Sequence, residues 1–215
     1  MTTTERVSFA PGGTIRIQGT YGYLNVEGWD RPEVEVTVIK SLQFDYKAQQ
    51  PGDAAKRLDG IRTVTERKSP TELTISMMIP SRRHHVPLVM PHTTTGGVLI
   101  EYEIHVPRDS RLAIHHGVGN VDVNGVTGDI EAHAGRGDIV LWLAPGSYSI
   151  DAKTKFGNVS SELEGAALNQ YLIGQRFTRA ATPPSHQLRL RMEFGGITIK
   201  GILPESEAPK VSSAP

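Results

Sequence analysis

Strict alternation of apolar and polar residues opens the chain. In "GTIRIQG" Ile15 and Ile17 share one side, in "GYLNVEGW" Leu24 and Val26 do, and "EVEVTVIK" repeats the arrangement with Val34, Val36 and Val38. Period-two alternation bounded by glycine and proline predicts half-buried strands. "TELTISMMIP" and "GVLIEYEIHVP" predict two more. Before them the pattern changes: Asp53 reads as an N-cap ahead of Leu58 and Ile61, which predicts a short helix. "SRRHHVPLVMPHTTTGG" reads as a long loop.

From residue 112 the alternation acquires a longer period. Glycine followed by a small or polar residue recurs as "GNVDV" at 119, "GDIEA" at 128, "GDIVL" at 137, "GSYSI" at 146, "GNVSS" at 157 and "GGITI" at 195. Alternate members, at 119, 137, 157 and 195, are separated by 18, 20 and 38 residues. Aligned on these glycines, Leu112, Ile130, Ile150 and Leu188 share a column. So do Ile114, Ala132, Ala152 and Leu190; Val121, Ile139, Val159 and Ile197; and Val123, Leu141, Ser161 and Ile199. Fixed-period self-similarity predicts a repeat architecture. The expected fold is all-β: a single-stranded β-helix, or solenoid, of four to five turns, with a short helix and extra strands in an N-terminal cap. One domain is expected over residues 5–203, with the cap and an inserted segment at 5–107 and regular repeats at 108–202. Residues 204–215 are small, polar and proline-rich and read as a disordered tail.

The predicted corners are Gly119-Asn120, Gly128-Asp129, Gly137-Asp138, Gly157-Asn158 and Gly195. Glycine tolerates the positive φ of a tight bend, and Asn or Asp side chains bond nearby backbone. Arg136-Gly137-Asp138 spells a tripeptide that some host-cell receptors read. Two of its three residues are already required by the repeat, so it reads as a corner with Arg136 in a variable slot.

Composition narrows the function classes. Lysine plus arginine equals aspartate plus glutamate over the 215 residues, so the chain lacks the basic excess of a nucleic-acid coat. Cysteine is absent, which removes disulfides and thiolate metal sites. No apolar run approaches the roughly 20 residues of a membrane-spanning helix. "MTTTERVSFAPGG" has no signal-peptide pattern. The expectation is a cytoplasmic protein, or an envelope or extracytoplasmic one if a targeting segment has been removed.

"NVEGWDRPEVEVTV", "GNVDVNGVTGDIEAHAGRGDIVLWL" and "KFGNVSSEL" resemble the bacterial putative-adhesin domains that carry Gly-Asp-Ile/Val repeats. The resemblance spans about residues 13–202. It implies a right-handed β-helix placed at or outside the cell envelope, and it brings no catalytic residues. Residues 165–187 interrupt the repeat as a loop.

Candidate chemistry is sparse. His115 and His133 fall in one column, continued by Lys153 and Arg191. On adjacent turns they would stack about 4.8 Å apart as an outward basic stripe. Such a stripe suits an anionic glycan or phosphate, although stripes of this kind are more often solvated faces. Lysine and arginine in the row oppose a metal ion, and no cofactor is expected. Trp142 falls in a polar column with Asn124, Glu162 and Lys200, which predicts an exposed aromatic that either meets a partner or covers the inserted segment. Acidic residues are scattered over the repeats with no pair picked out, so no catalytic residue is assigned. The expected function is a non-enzymatic, adhesin-like binding or surface-presenting module for a glycan or protein at the cell surface. A self-assembling structural scaffold is second, and a polysaccharide-active enzyme third.

Overall fold

The computed structural model describes residues 1–42, 60–78, 98–170, 173–183 and 185–201. The predicted helix over Asp53 and Leu58, the loop containing His84, His85 and His92, and the predicted tail lie outside the described residues. Every element that lies wholly within the described residues is a strand. In chain order these are β1 (Thr2–Ser8), β2 (Thr14–Tyr21), β3 (Tyr23–Trp29), β4 (Glu33–Leu42), β5 (Arg62–Ser69), β6 (Glu72–Met78), β7 (Val98–Pro107), β8 (Arg111–Val118) and β9 (Val121–Asn124). Then follow β10 (Ile130–Arg136), β11 (Ile139–Leu143), β12 (Tyr148–Phe156), β13 (Val159–Ser161), β14 (Ala166–Gln170), β15 (Gly174–Arg179), β16 (His186–Phe194) and β17 (Ile197–Gly201).

These strands make two mixed sheets. The eight-stranded sheet runs β1-β4-β7-β3-β9-β11-β17-β13, and the nine-stranded sheet β14-β15-β12-β16-β10-β8-β2-β6-β5. Inward residues of both, from Ile15 and Leu24 to Leu190 and Ile199, form one apolar core cluster. The predicted columns are realised as parallel registers. Leu112 pairs with Ile130, Ile130 with Leu188, and Leu188 with Ile150. Across the core Val121, Ile139, Ile197 and Val159 line up likewise. Each fully buried Ile, Val or Leu side chain contributes about 1.5–3 kcal/mol, so matched columns outweigh any single turn.

The single-stranded β-helix expected from the repeat is corrected by the strand order. A coil that advances turn by turn keeps sequential passes adjacent. Here β16 lies between β10 and β12, β17 lies between β11 and β13, and β7 lies between β4 and β3. Antiparallel pairs occupy the margins: β1 with β4, β5 with β6, and β14 with β15. The arrangement is a β-sandwich of two mixed sheets. The physical reason lies in the segment read as a loop. Its β15 pairs antiparallel with one edge of β12, and β16 takes the other edge, separating β12 from β10.

The corner assignments have a direct structural counterpart. Gly119, Gly137, Gly157 and Gly195 all have φ between 128° and 147°. A Cβ on Gly195 would lie 1.6 Å from the Gly137 carbonyl oxygen, and one on Gly137 2.3 Å from that of Gly119. Stacked corners therefore touch backbone to backbone. Gly22, which the repeat did not flag, is a further member, with its carbonyl under Gly119. Gly128 lacks the positive φ, but its Cβ would meet the Ser110 oxygen at 2.1 Å.

Candidate functional site

The outward rows of the nine-stranded sheet hold the predicted stripe. Register places His115 beside His133, His133 beside Arg191, and Arg191 beside Lys153. The two imidazoles are 5.2 Å apart, centroid to centroid. Spatial order departs from chain order because β16 sits inside β12. The row then gains a member, since Lys153 pairs with Arg176 of β15. Sequence reasoning missed Arg176 because it lies in the presumed interruption. The alternation in "GQRFTR", with Phe177 buried between half-buried neighbours, was the available signal.

Asp151 organises the basic end of the row. Its Oδ1 accepts a hydrogen bond from Arg176 Nε at 2.9 Å, and its Oδ2 accepts one from Arg191 Nη2. Arg191 Nη1 also donates to the Asp151 carbonyl at 2.8 Å. Burial pushes the Asp151 carboxyl up, but the two guanidiniums together hold it below the usual range. Both arginines are thus fixed in direction, with part of their charge answered. Lys153, next in the row, has no side-chain partner among the described residues.

Two grooves flank the row. One of about 430 Å³ is lined by Arg16, Arg111, Arg179 and Arg189, together with Asp129, Glu131 and Asp151. Arg16 is paired with Glu72 at 2.7 Å and Arg111 approaches Asp129 at 3.9 Å, whereas Arg189 makes no ion pair among the described residues. Asp129 itself accepts the Gln187 N–H at 2.8 Å. The other groove, of about 730 Å³, is bounded by His115, His133, Met78 and Glu193, with Gly117 and Gly135 among its lining.

His116 behaves differently from its neighbour. Adjacent strand residues face opposite ways, so His115 is exposed and His116 is buried at 3 % exposure. Its Nε2 lies 2.8 Å from the Gly22 carbonyl, which makes that nitrogen the donor, and its buried Nδ1 has no hydrogen-bond partner among the described residues. Burial pushes this imidazole down, against smaller upward effects of the Gly22 and Val118 backbone.

The remaining predicted residues lie elsewhere. Trp142 is 39 % exposed on the outer face of the opposite sheet, so the structure does not bring it to the stripe. It carries Lys200 Nζ 4.3 Å from its ring centroid. The corners bond one another. Asn120 Oδ1 accepts the Asp138 N–H at 3.1 Å, and Asp138 Oδ1 accepts the Gly196 N–H at 2.7 Å. The Asn158 carbonyl accepts the Ile197 N–H at 3.0 Å. Arg136 lies over Phe194 at 5.6 Å. Asp138 of the tripeptide is therefore committed to holding stacked corners.

No protein-family model and no curated protein matches this chain. Among solved structures, a putative cell adhesion protein from Clostridium sporogenes is similar over 94% of this chain and 100% of its own, with TM-score 0.53 and 12% identity. A putative adhesin from Bacteroides fragilis is similar over 94% of this chain and 97% of its own, with TM-score 0.25 and 10% identity. At these identities the first likeness speaks to the fold alone, and the second carries no argument.

Proposed function

We propose that this protein is a non-enzymatic, adhesin-like binding module that holds an anionic ligand on the outer face of its nine-stranded sheet. The observation that carries the reading is the continuous row His115, His133, Arg191, Lys153 and Arg176 between two grooves. Strand spacing of about 4.8 Å repeats a cationic or protonatable group across five strands, which suits a chain-like ligand with regularly spaced charge. Arginine forks fit carboxylate or sulfate groups in two-point contact. The fold shared with a protein named for cell adhesion agrees with this reading.

On this face a hydrolytic role fits less well. A general acid working near neutrality needs its pKa raised, and Asp151 is held down by Arg176 and Arg191. The test is a binding panel of acidic and neutral polysaccharides at about 0.15 M salt. Wild-type protein should retain acidic members and ignore neutral ones, and Lys153→Glu with Arg189→Glu should weaken retention at least tenfold. Equal retention of neutral and acidic glycans, or indifference to the double variant, would remove the proposed face from consideration.

A further inference from the structure

The two outer faces carry opposite charge. The central outward positions of the eight-stranded sheet, on β7, β3, β9 and β11, present Glu27, Glu101, Glu103 and Asp122, with Asp138 at the adjoining corner and no lysine or arginine. Glu101, Glu103 and Asp122 have no cationic partner among the described residues. Burial pushes the Asp122 carboxyl up, and the neighbouring Asp138 carboxylate adds to it in the same direction. On the other side Arg16, Arg111, Arg189, Arg191, Lys153 and Arg176 outnumber the acids interleaved with them.

We infer that a second copy of this chain docks its acidic face onto the basic face of the first. Charge complementarity is one argument. Size is another: the whole outer face of the eight-stranded sheet, at about 4.8 Å per strand and on average roughly 20 Å along the strands, covers about 770 Å², near the ~800 Å² per partner of a standard interface. The two contacting surfaces are different patches on opposite sides of the molecule. Such a heterologous contact does not close on a dimer, and each docked copy offers a fresh face to the next. The expected assembly is an open stack.

The experiment is sedimentation of the full chain, without added ligand, at about 10 mM and about 0.15 M salt, where the Debye length is about 30 Å and 8 Å. Wild type should at least double its apparent mass at low salt and lose the gain at high salt. Glu101→Lys with Glu103→Lys should be monomeric in low salt, and so should Lys153→Glu with Arg189→Glu. Each double variant keeps one intact face, so an equimolar mixture should regain at low salt the gain in mass that neither variant shows alone. Circular dichroism confirms that both variants remain folded. A wild type that stays monomeric at low salt, or variants whose mixture stays monomeric while wild type stacks, overturns the inference. The acid-face variant should still bind acidic polysaccharide, so loss of stacking is separable from loss of the proposed ligand face.

Discussion

His116 is the residue whose chemistry and position conflict most. It points into the core, offers one nitrogen to the Gly22 carbonyl and leaves the other buried with no hydrogen-bond partner among the described residues. Gly19 makes the room, because a Cβ there would lie 2.6 Å from His116 Nδ1. With its folded pKa below the ordinary 6.5, the imidazole is neutral in both states above that pH and makes stability there independent of its protonation. As pH falls below 6.5 the unfolded chain takes a proton that the folded one resists, so stability drops. Thermal melts from pH 7.5 to 5 should show this decline, and His116→Leu should flatten it. An unchanged slope in the variant would assign the titration elsewhere. Asp151 acts in a separate window: its depressed carboxyl contributes stability above its ordinary range and loses it on further acidification. Backbone is equally constrained at the corners. Gly195→Ala puts a methyl 1.6 Å from the Gly137 carbonyl at φ 138° and should cost about 2–4 kcal/mol. Gly201→Ala meets nothing within 4 Å and should stay within about 0.5 kcal/mol. Urea unfolding of the pair measures both.

At the scale of elements, the β14–β15 hairpin is the decisive one. It is fastened to β12 by antiparallel pairing, by the Arg176–Asp151 contact and by Phe177, which is buried at 5 % exposure. Phe177→Ala should cost about 3 kcal/mol and act locally. Hydrogen exchange should quicken over 166–168 and 174–179 while β8, β10 and β16 keep their protection. Uniform loss across both sheets would mean that the hairpin is integral to the global fold. The same hairpin marks the limit of what could be read from the chain. Column positions such as Leu112, Ile130, Ile150 and Leu188 were legible because alternation and glycine spacing fix which residues share a register. Neighbour order was not, because a matching column says which residues align and is silent on which strand lies next. Leu188 fits beside Ile130 as well as beside Ile150, and it touches both.

For the whole molecule, a formal net charge of zero conceals a dipolar layout. Equal numbers of acidic and basic residues can be mixed or segregated, and composition does not distinguish the two. Four members of the candidate site, His115, His133, Lys153 and Arg191, were legible from period alone. Arg176 was not, because an antiparallel return supplies it. Nor was the acidic opposite face, which exists only once Glu103, Asn25 and Asp122 lie side by side. The placement of β16 and β17 also bears on how the chain is made. Residues 186–201 are made after β8 to β13 yet lie inside both sheets. Until they leave the ribosome, β10 and β12 each present an open edge with a matching register, and so do β11 and β13. The nascent protein therefore holds, until then, a slot in each sheet whose register its own later segment matches, and the two sheets are completed when that segment enters like a keystone.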